Sequence, residues 1–147
     1  MIYLFFKHLH SGLRWIILLM LLVSILNSLL RFLAKKNYSE RDRKFALISL
    51  ALLHTQVLIG LLLYFISPKV VFSTISLKNP LLRFYLVEHI SLMIIAAALI
   101  TTGYSLAKKA KQDPSRHLWI LIFYGAGLIL ILSAIPWPWM SLGSGWL

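Results

Sequence analysis

Four long apolar stretches constrain this chain more than any other feature. A bilayer core takes about 20 mostly apolar residues per helix. The stretch from Phe45 to Ile66 supplies 22 residues without a single charge. Three others of similar character run from about Leu13 to Leu33, Leu81 to Ala107 and Leu118 to Ile135. The first helix has room to begin earlier, near Tyr3. Prolines close two of the stretches, Pro68 after the second and Pro136 after the fourth, because proline cannot continue a helix. Backbone polar groups need internal partners in lipid, so these stretches read as helices. The residue-by-residue alternation of a barrel strand is absent.

Composition agrees with that reading and excludes others. Apolar side chains make up 60% of 147 residues, against 13% charged. Soluble domains run nearer 45–50% apolar and about 25% charged. A soluble domain of this length could not hide so much apolar surface, and a disordered chain would not carry it. The chain reads as a single all-α membrane domain, an up-down four-helix bundle joined by short connections.

The charge is strongly positive: 15 Lys and Arg against 4 Asp and Glu, or +11. In a soluble protein this balance would suggest nucleic-acid binding. Here the cations gather between spans. Lys35, Lys36, Arg41, Arg43 and Lys44 follow the first, and Lys108, Lys109, Lys111 and Arg116 follow the third. The positive-inside rule predicts that both connections are cytoplasmic and both termini face outward. For a bacterial chain that means the inner membrane, with lipid and no nucleic acid as partner. Trp15, Trp137, Trp139 and Trp146 then fall near the outer boundary, where indoles favour the interface. No small-residue cleavage site follows the apolar N-terminus, so a removable signal peptide is not expected. The absence of cysteine excludes disulfides, thiolate metal sites and covalent c-type haem attachment.

Ionisable residues inside lipid are costly, which makes each a functional candidate. They are His10, Arg14, His54, Arg83, Glu88, His89 and His117. Neutral imidazole is a good ligand for haem iron, and two of them on facing helices build an electron-transfer site. Axial ligands need similar depth. Counted from the cytoplasmic helix ends at 1.5 Å per residue, His10 lies about 34 Å up, His89 about 27 Å and His54 about 13 Å. That count pairs His10 with His89. Counted from the outer ends, His54 at about 19 Å is nearer to His89 at about 10 Å. His117, at a helix start beside Arg116, reads as interfacial, and His8 reads as a headgroup residue.

Arg14 follows His10 by one turn and shares its face. There an arginine can pair bidentately with a haem propionate, and Arg83 enters the third span where it can serve similarly. Glu88 can pair with Arg14 or Arg83, or support a ligand as a neighbouring carboxylate. Gly60, Ala96, Gly103, Gly125 and Gly127 would admit either a flat macrocycle or close helix packing. Asn27 and Gln56 read as makers of interhelical hydrogen bonds.

Several segments resemble the small bacterial membrane proteins described as cytochrome b-like. They are His8-Leu-His10-Ser-Gly-Leu-Arg-Trp15, His54-Thr-Gln-Val-Leu-Ile-Gly60 with Leu63-Tyr-Phe-Ile-Ser-Pro68, and Arg83-Phe-Tyr-Leu-Val-Glu-His89. The ending Phe123-Tyr-Gly through Ser133-Ala-Ile-Pro-Trp-Pro138 belongs with them. The resemblance covers nearly the whole chain. It implies a four-helix fold binding haem b, with His10, His54 and His89 inside its motifs and His117 outside. The Glu88-His89 pair is also similar, more distantly, to haem-A-synthase-type bundles.

The function expected is a membrane cytochrome holding one haem b toward the outer half of the bundle. His89 is one ligand and His10 the preferred second, with His54 the alternative. Its electrons would pass between quinol and a membrane or periplasmic redox partner, without a substrate chemistry of its own. Two other readings remain: a haem-free subunit or assembly factor of a larger complex, and a metal-ion or proton carrier stepping through His10, His54 and His89.

Overall fold

A computed structural model describes residues 1–142, 145 and 146. Four helices account for most of them: α1 (Ile2–Leu33), α2 (Glu40–Ile66), α3 (Pro80–Lys109) and α4 (Asp113–Ala134). All four are long and apolar enough to cross a membrane, and no strand occurs among the described residues. α1 is longer than its apolar stretch. Its 32 residues rise about 48 Å, more than a bilayer core needs.

Local sequence sets the boundaries. Ser39 caps α2: its backbone N–H donates to Asp42 Oδ2 at 2.6 Å while its Oγ accepts from the Asp42 N–H. Asn79 caps α3, with Oδ1 accepting from the N–H groups of Leu81 and Leu82, and Pro80 follows in the first turn. α2 and α4 stop just before Pro68 and Pro136. Between α2 and α3, Thr74–Lys78 forms a short 3-10 turn.

The helices stand at the corners of a four-sided bundle. α1 packs on α2 and α4, α3 packs on the same two, and α1 and α3 face each other across the diagonal. Neighbours run antiparallel, since Ser24 and Asn27 of α1 bond Ser49 and Asp42 of α2, while Gln56 reaches His10. One end of the bundle therefore gathers four of the five tryptophans and the other gathers the basic connections.

The closest packing joins α3 to α4, through two glycines. A Cβ on Gly103 would collide with Phe123 Cβ, and one on Gly127 would sit 2.6 Å from Ile100 Cγ1. These glycines serve helix approach. Nothing lies within 4 Å of a Cβ on Gly125. The core between the helices is built from Ile17, Leu21, Leu50, Leu53, Ile100, Ile120, Tyr124 and Ile131. Tyr124 donates its hydroxyl to the Ala46 carbonyl at 2.8 Å, so this large buried ring carries no unpaired polar atom. The outer faces stay apolar, with Leu30 66% and Leu58 68% exposed, as a lipid-facing surface requires.

At the basic end, Asp42 is buried, accepts from Asn27 at 2.7 Å and Ser39 Oγ at 2.7 Å, and forms an ion pair with Arg31, whose Nε lies 2.8 Å away. One carboxylate thus ties the foot of α1 to the start of α2. His117 stands in the first turns of α4. It is fully buried, under the ring of Tyr38 with centres 5.0 Å apart, because the first connection folds back over the start of α4. Burial, and next the Asp42 charge, push the Tyr38 phenol up to about 12.

Candidate functional site

The tryptophan end of the bundle holds a cavity of about 1330 Å³, open mouth included. Its walls follow from helical spacing. On α1, Tyr3, Lys7, His10 and Arg14 recur at intervals of four, three and four, which stacks them on one face. Ile17, Leu21, Ser24 and Ser28 continue that face as buried residues below. α2 contributes Gln56, Gly60 and Tyr64, and α3 contributes Tyr85, His89 and Met93, both sets four residues apart. Ile131 and Ile135 close the fourth side.

His10 and His89 meet across this cavity from the diagonal helices. Their ring centres are 6.4 Å apart and their planes stand at 69°. His89 Nδ1 lies 2.7 Å from the Ala134 carbonyl, which can only accept, so Nδ1 carries the proton and Nε2 keeps its lone pair. That bond fixes both tautomer and ring orientation. His10 Nδ1 is buried without a hydrogen-bond partner. Its ring rests against Gly60, where a Cβ would sit 3.2 Å from His10 Cε1. Gln56 steadies the same turn, donating from Nε2 to the His10 carbonyl at 2.8 Å.

A π-turn over Phe84–Glu88 immediately precedes His89. Hydrogen bonding from i to i+5 widens the helix there and shifts the phase of every residue beyond it. Tyr64 donates its hydroxyl to the Leu86 carbonyl at 2.9 Å inside this turn. The widening also brings residues five apart together: Arg83 Nε meets Glu88 Oε1 at 2.6 Å on the outside of the bundle. Both side chains are nearly half exposed and neither lines the cavity. Glu88 thus pairs with Arg83 and away from Arg14.

The cavity carries the cations Lys7, Arg14 and Lys69, and no carboxylate lines it among the described residues. Arg14 donates from Nη2 to the Trp146 carbonyl at 2.6 Å and lies over the Trp15 ring, while its Nε is buried without a partner. Lys69 donates to the Tyr85 hydroxyl at 3.2 Å, and Tyr85 donates to the Leu142 carbonyl at 2.9 Å. Trp15, Trp137, Trp139 and Trp146 pack together at this end, Trp137 and Trp139 stacked with centres 5.0 Å apart.

His54 lies elsewhere, exposed on α2. Thr101 spends its hydroxyl proton on the Ala97 carbonyl, so His54 Nε2, 3.1 Å away, donates to the Thr101 oxygen. His8 is exposed on α1. No cluster of three or more His, Asp or Glu forms among the described residues.

Of the residues singled out in the sequence, the cavity brings together His10, Arg14 and His89, and leaves out His54, Arg83 and Glu88. Lys7, Tyr64, Lys69 and Tyr85 also line it, and only Lys7 had a legible signal, its place in the stripe of α1. Comparisons with protein-family models, with curated proteins and with solved structures found no match to this chain.

Proposed function

We propose that this chain is a small cytochrome of the bacterial inner membrane, holding one b-type haem between His10 and His89 and passing electrons. The observation that carries the reading is the separation of the two imidazoles. A ring nitrogen binds a metal at about 2.0–2.1 Å, and the ring centre lies roughly 1.1 Å behind it, so two imidazoles holding one metal from opposite sides would have centres about 6.3 Å apart. The two rings stand at 6.4 Å. A pair of histidines cannot by itself fill the four or more positions a bare metal demands. It suits an iron that brings four equatorial nitrogens of its own.

The donor set fits in detail. His89 offers Nε2 because its Nδ1–H is committed to Ala134, an arrangement that raises the basicity of a ligand and holds its angle. His10 is braced by Gly60 and Gln56 and has no other buried partner at Nδ1. Lys7, Arg14 and Lys69 supply positive charge for two carboxylates at the mouth. Met93 and the isoleucines make the remaining wall apolar.

Haem supplies one-electron chemistry by cycling between ferric and ferrous iron. The residues around it hold it, orient it and set its potential through ligand identity, burial and nearby charge. The basic connections between α1 and α2 and between α3 and α4 lie in the cytoplasm on this reading, which faces the cavity outward. Quinol in the membrane and a membrane or periplasmic redox protein are then the partners within reach.

An absorbance spectrum of the purified full chain, expressed with added haem precursor, tests the proposal. A Soret band, a reduced-minus-oxidised α band and one haem per chain are expected. Haem-free protein under those conditions overturns it.

A further inference from the structure

A second cleft, of about 610 Å³, lies at the basic end of the bundle, remote from the histidine pair. Its cations come from three different helices: Arg43 of α2, Lys108 of α3 and Arg116 of α4. Tyr38 and Tyr104 form aromatic walls, and Arg116 lies over the Tyr38 ring at 5.8 Å. One carboxylate, Glu40, lines the cleft and pairs with Arg43. Asp113 stands 3.6 Å from Arg116. Arg116 is further fixed by donating from Nε to the Ala110 carbonyl at 2.9 Å. Lys108 is exposed on the last turn of its helix.

The faces above the cleft continue into the apolar part of the bundle. One and two turns from Arg43, α2 presents Leu47 and Ala51, both exposed. α3 presents Tyr104 and then Thr101 above Lys108. α2 and α3 pack the most sparsely of the four neighbouring pairs. They are tied again at the His54–Thr101 hydrogen bond. The basic cleft thus adjoins, toward the middle of the bundle, exposed apolar residues of α2 beside its sparse contact with α3.

We propose that this cleft binds an acidic phospholipid. The phosphate sits among Arg43, Lys108 and Arg116, and an acyl chain lies along Leu47 and Ala51 between α2 and α3. Converging cations at a helix–headgroup boundary favour a phosphate. A free phosphate would meet the cations but leave the exposed Leu47 and Ala51 uncovered, so the lipid is the assigned source. The proposal does not depend on haem.

The test uses full-length protein in dodecyl maltoside, with unfolding followed by tryptophan fluorescence. Dioleoylphosphatidylglycerol should raise the Tm by about 3–5 °C, while dioleoylphosphatidylcholine and inorganic phosphate leave it unchanged. Lys108→Glu should abolish the rise, and Lys35→Glu, on the neighbouring connection, should keep it. Native mass spectrometry of the unaltered chain should show phosphatidylglycerol retained in preference to phosphatidylcholine, whatever the variants do. An equal response to both lipids, an equal response to inorganic phosphate, or a Lys108→Glu protein that still responds overturns the proposal.

Discussion

His10 and His89 face each other across the diagonal of the bundle with ring centres 6.4 Å apart, close to the spacing of two imidazoles sharing one iron. On the proposed haem site, replacing either would remove one of its two imidazole ligands. His89→Ala and His10→Ala are each expected to abolish the low-spin spectrum of haem-supplemented protein, and His54→Ala to retain it. A low-spin spectrum that survives His10→Ala and disappears in His54→Ala would transfer the second ligand to α2.

Gly60 decides how close α2 comes to the His10 ring. A Cβ there already meets Cε1 at 3.2 Å, so a branched side chain must push the imidazole away from its partner. Gly60→Val is expected to lower the haem-to-protein ratio severalfold while the helical circular dichroism remains. Gly125→Ala, with open space around its Cβ, should leave the ratio unchanged. Equal ratios in the two variants would show that the ring position does not govern binding.

The spans were legible because hydropathy over 20 residues is a one-dimensional signal, and all four apolar stretches lie within the helices to within a residue at their ends. The site was legible only in part. Counting rise along a helix gives depth but no azimuth, and His54 shows the cost. Gly60 and Gln56 face His10, and His54 sits two residues from Gln56, about 200° around the helix, so it points outward. The stripe Tyr3, Lys7, His10, Arg14 does encode azimuth, and reading it as one face would have added Lys7 to the site. Lys69 was hidden for another reason: it lies in the connection between α2 and α3, where no helical period assigns a face. The π-turn before His89 was hidden too, since no residue type in Phe84–Glu88 announces it.

Tyr38 gives the basic end a pH limit. Its phenol titrates near 12, while an unfolded tyrosine titrates near 10. The charged form is the one that burial disfavours, so folding holds the proton more tightly than the unfolded chain does. A group whose folded pKa is raised contributes fully below the unfolded value and loses its contribution as pH rises through the folded one. Stability in detergent should therefore fall between about pH 10 and pH 12, and Tyr38→Phe should flatten that part of the profile. Denaturant melts at stepped pH measure it. An identical decline in both proteins would assign the loss to other groups.

Gly127 tests the packing of α3 on α4. Its added Cβ would fall 2.6 Å from Ile100 Cγ1 and 3.4 Å from the Ala96 carbonyl, too close for either helix to accommodate without moving. Overpacking of this kind costs about 1–3 kcal/mol. Gly127→Val should lower the Tm in detergent, and Ile100→Ala should recover part of the loss by vacating the space. If the double variant is less stable than the sum of the two single changes, the glycine is not there to admit Ile100.

Asp42 is the one buried carboxylate that holds two helices together at the basic end. Its oxygens accept from Asn27 and from Ser39 and pair with the Arg31 guanidinium, and the side chain is almost wholly shielded from solvent. Asp42→Ala would take the carboxylate from the Asn27 amide and from Arg31 Nε, and would break the half of the capping box that accepts from the Ser39 N–H. Breaking a buried charged pair from one side typically costs about 3–5 kcal/mol. Arg31 keeps some access to solvent, which places the expected loss nearer the lower figure. Asp42→Asn preserves the shape and two of the acceptor contacts, so it should cost less than the alanine change. Arg31→Met, which removes the cation and leaves the carboxylate its other donors, should fall between them. Chemical unfolding of the three variants in one detergent ranks them, and the order Asn, Met, Ala from most to least stable is the expected result. An alanine variant as stable as the parent would mean that the carboxylate decorates the foot of the bundle and does not bind α1 to α2.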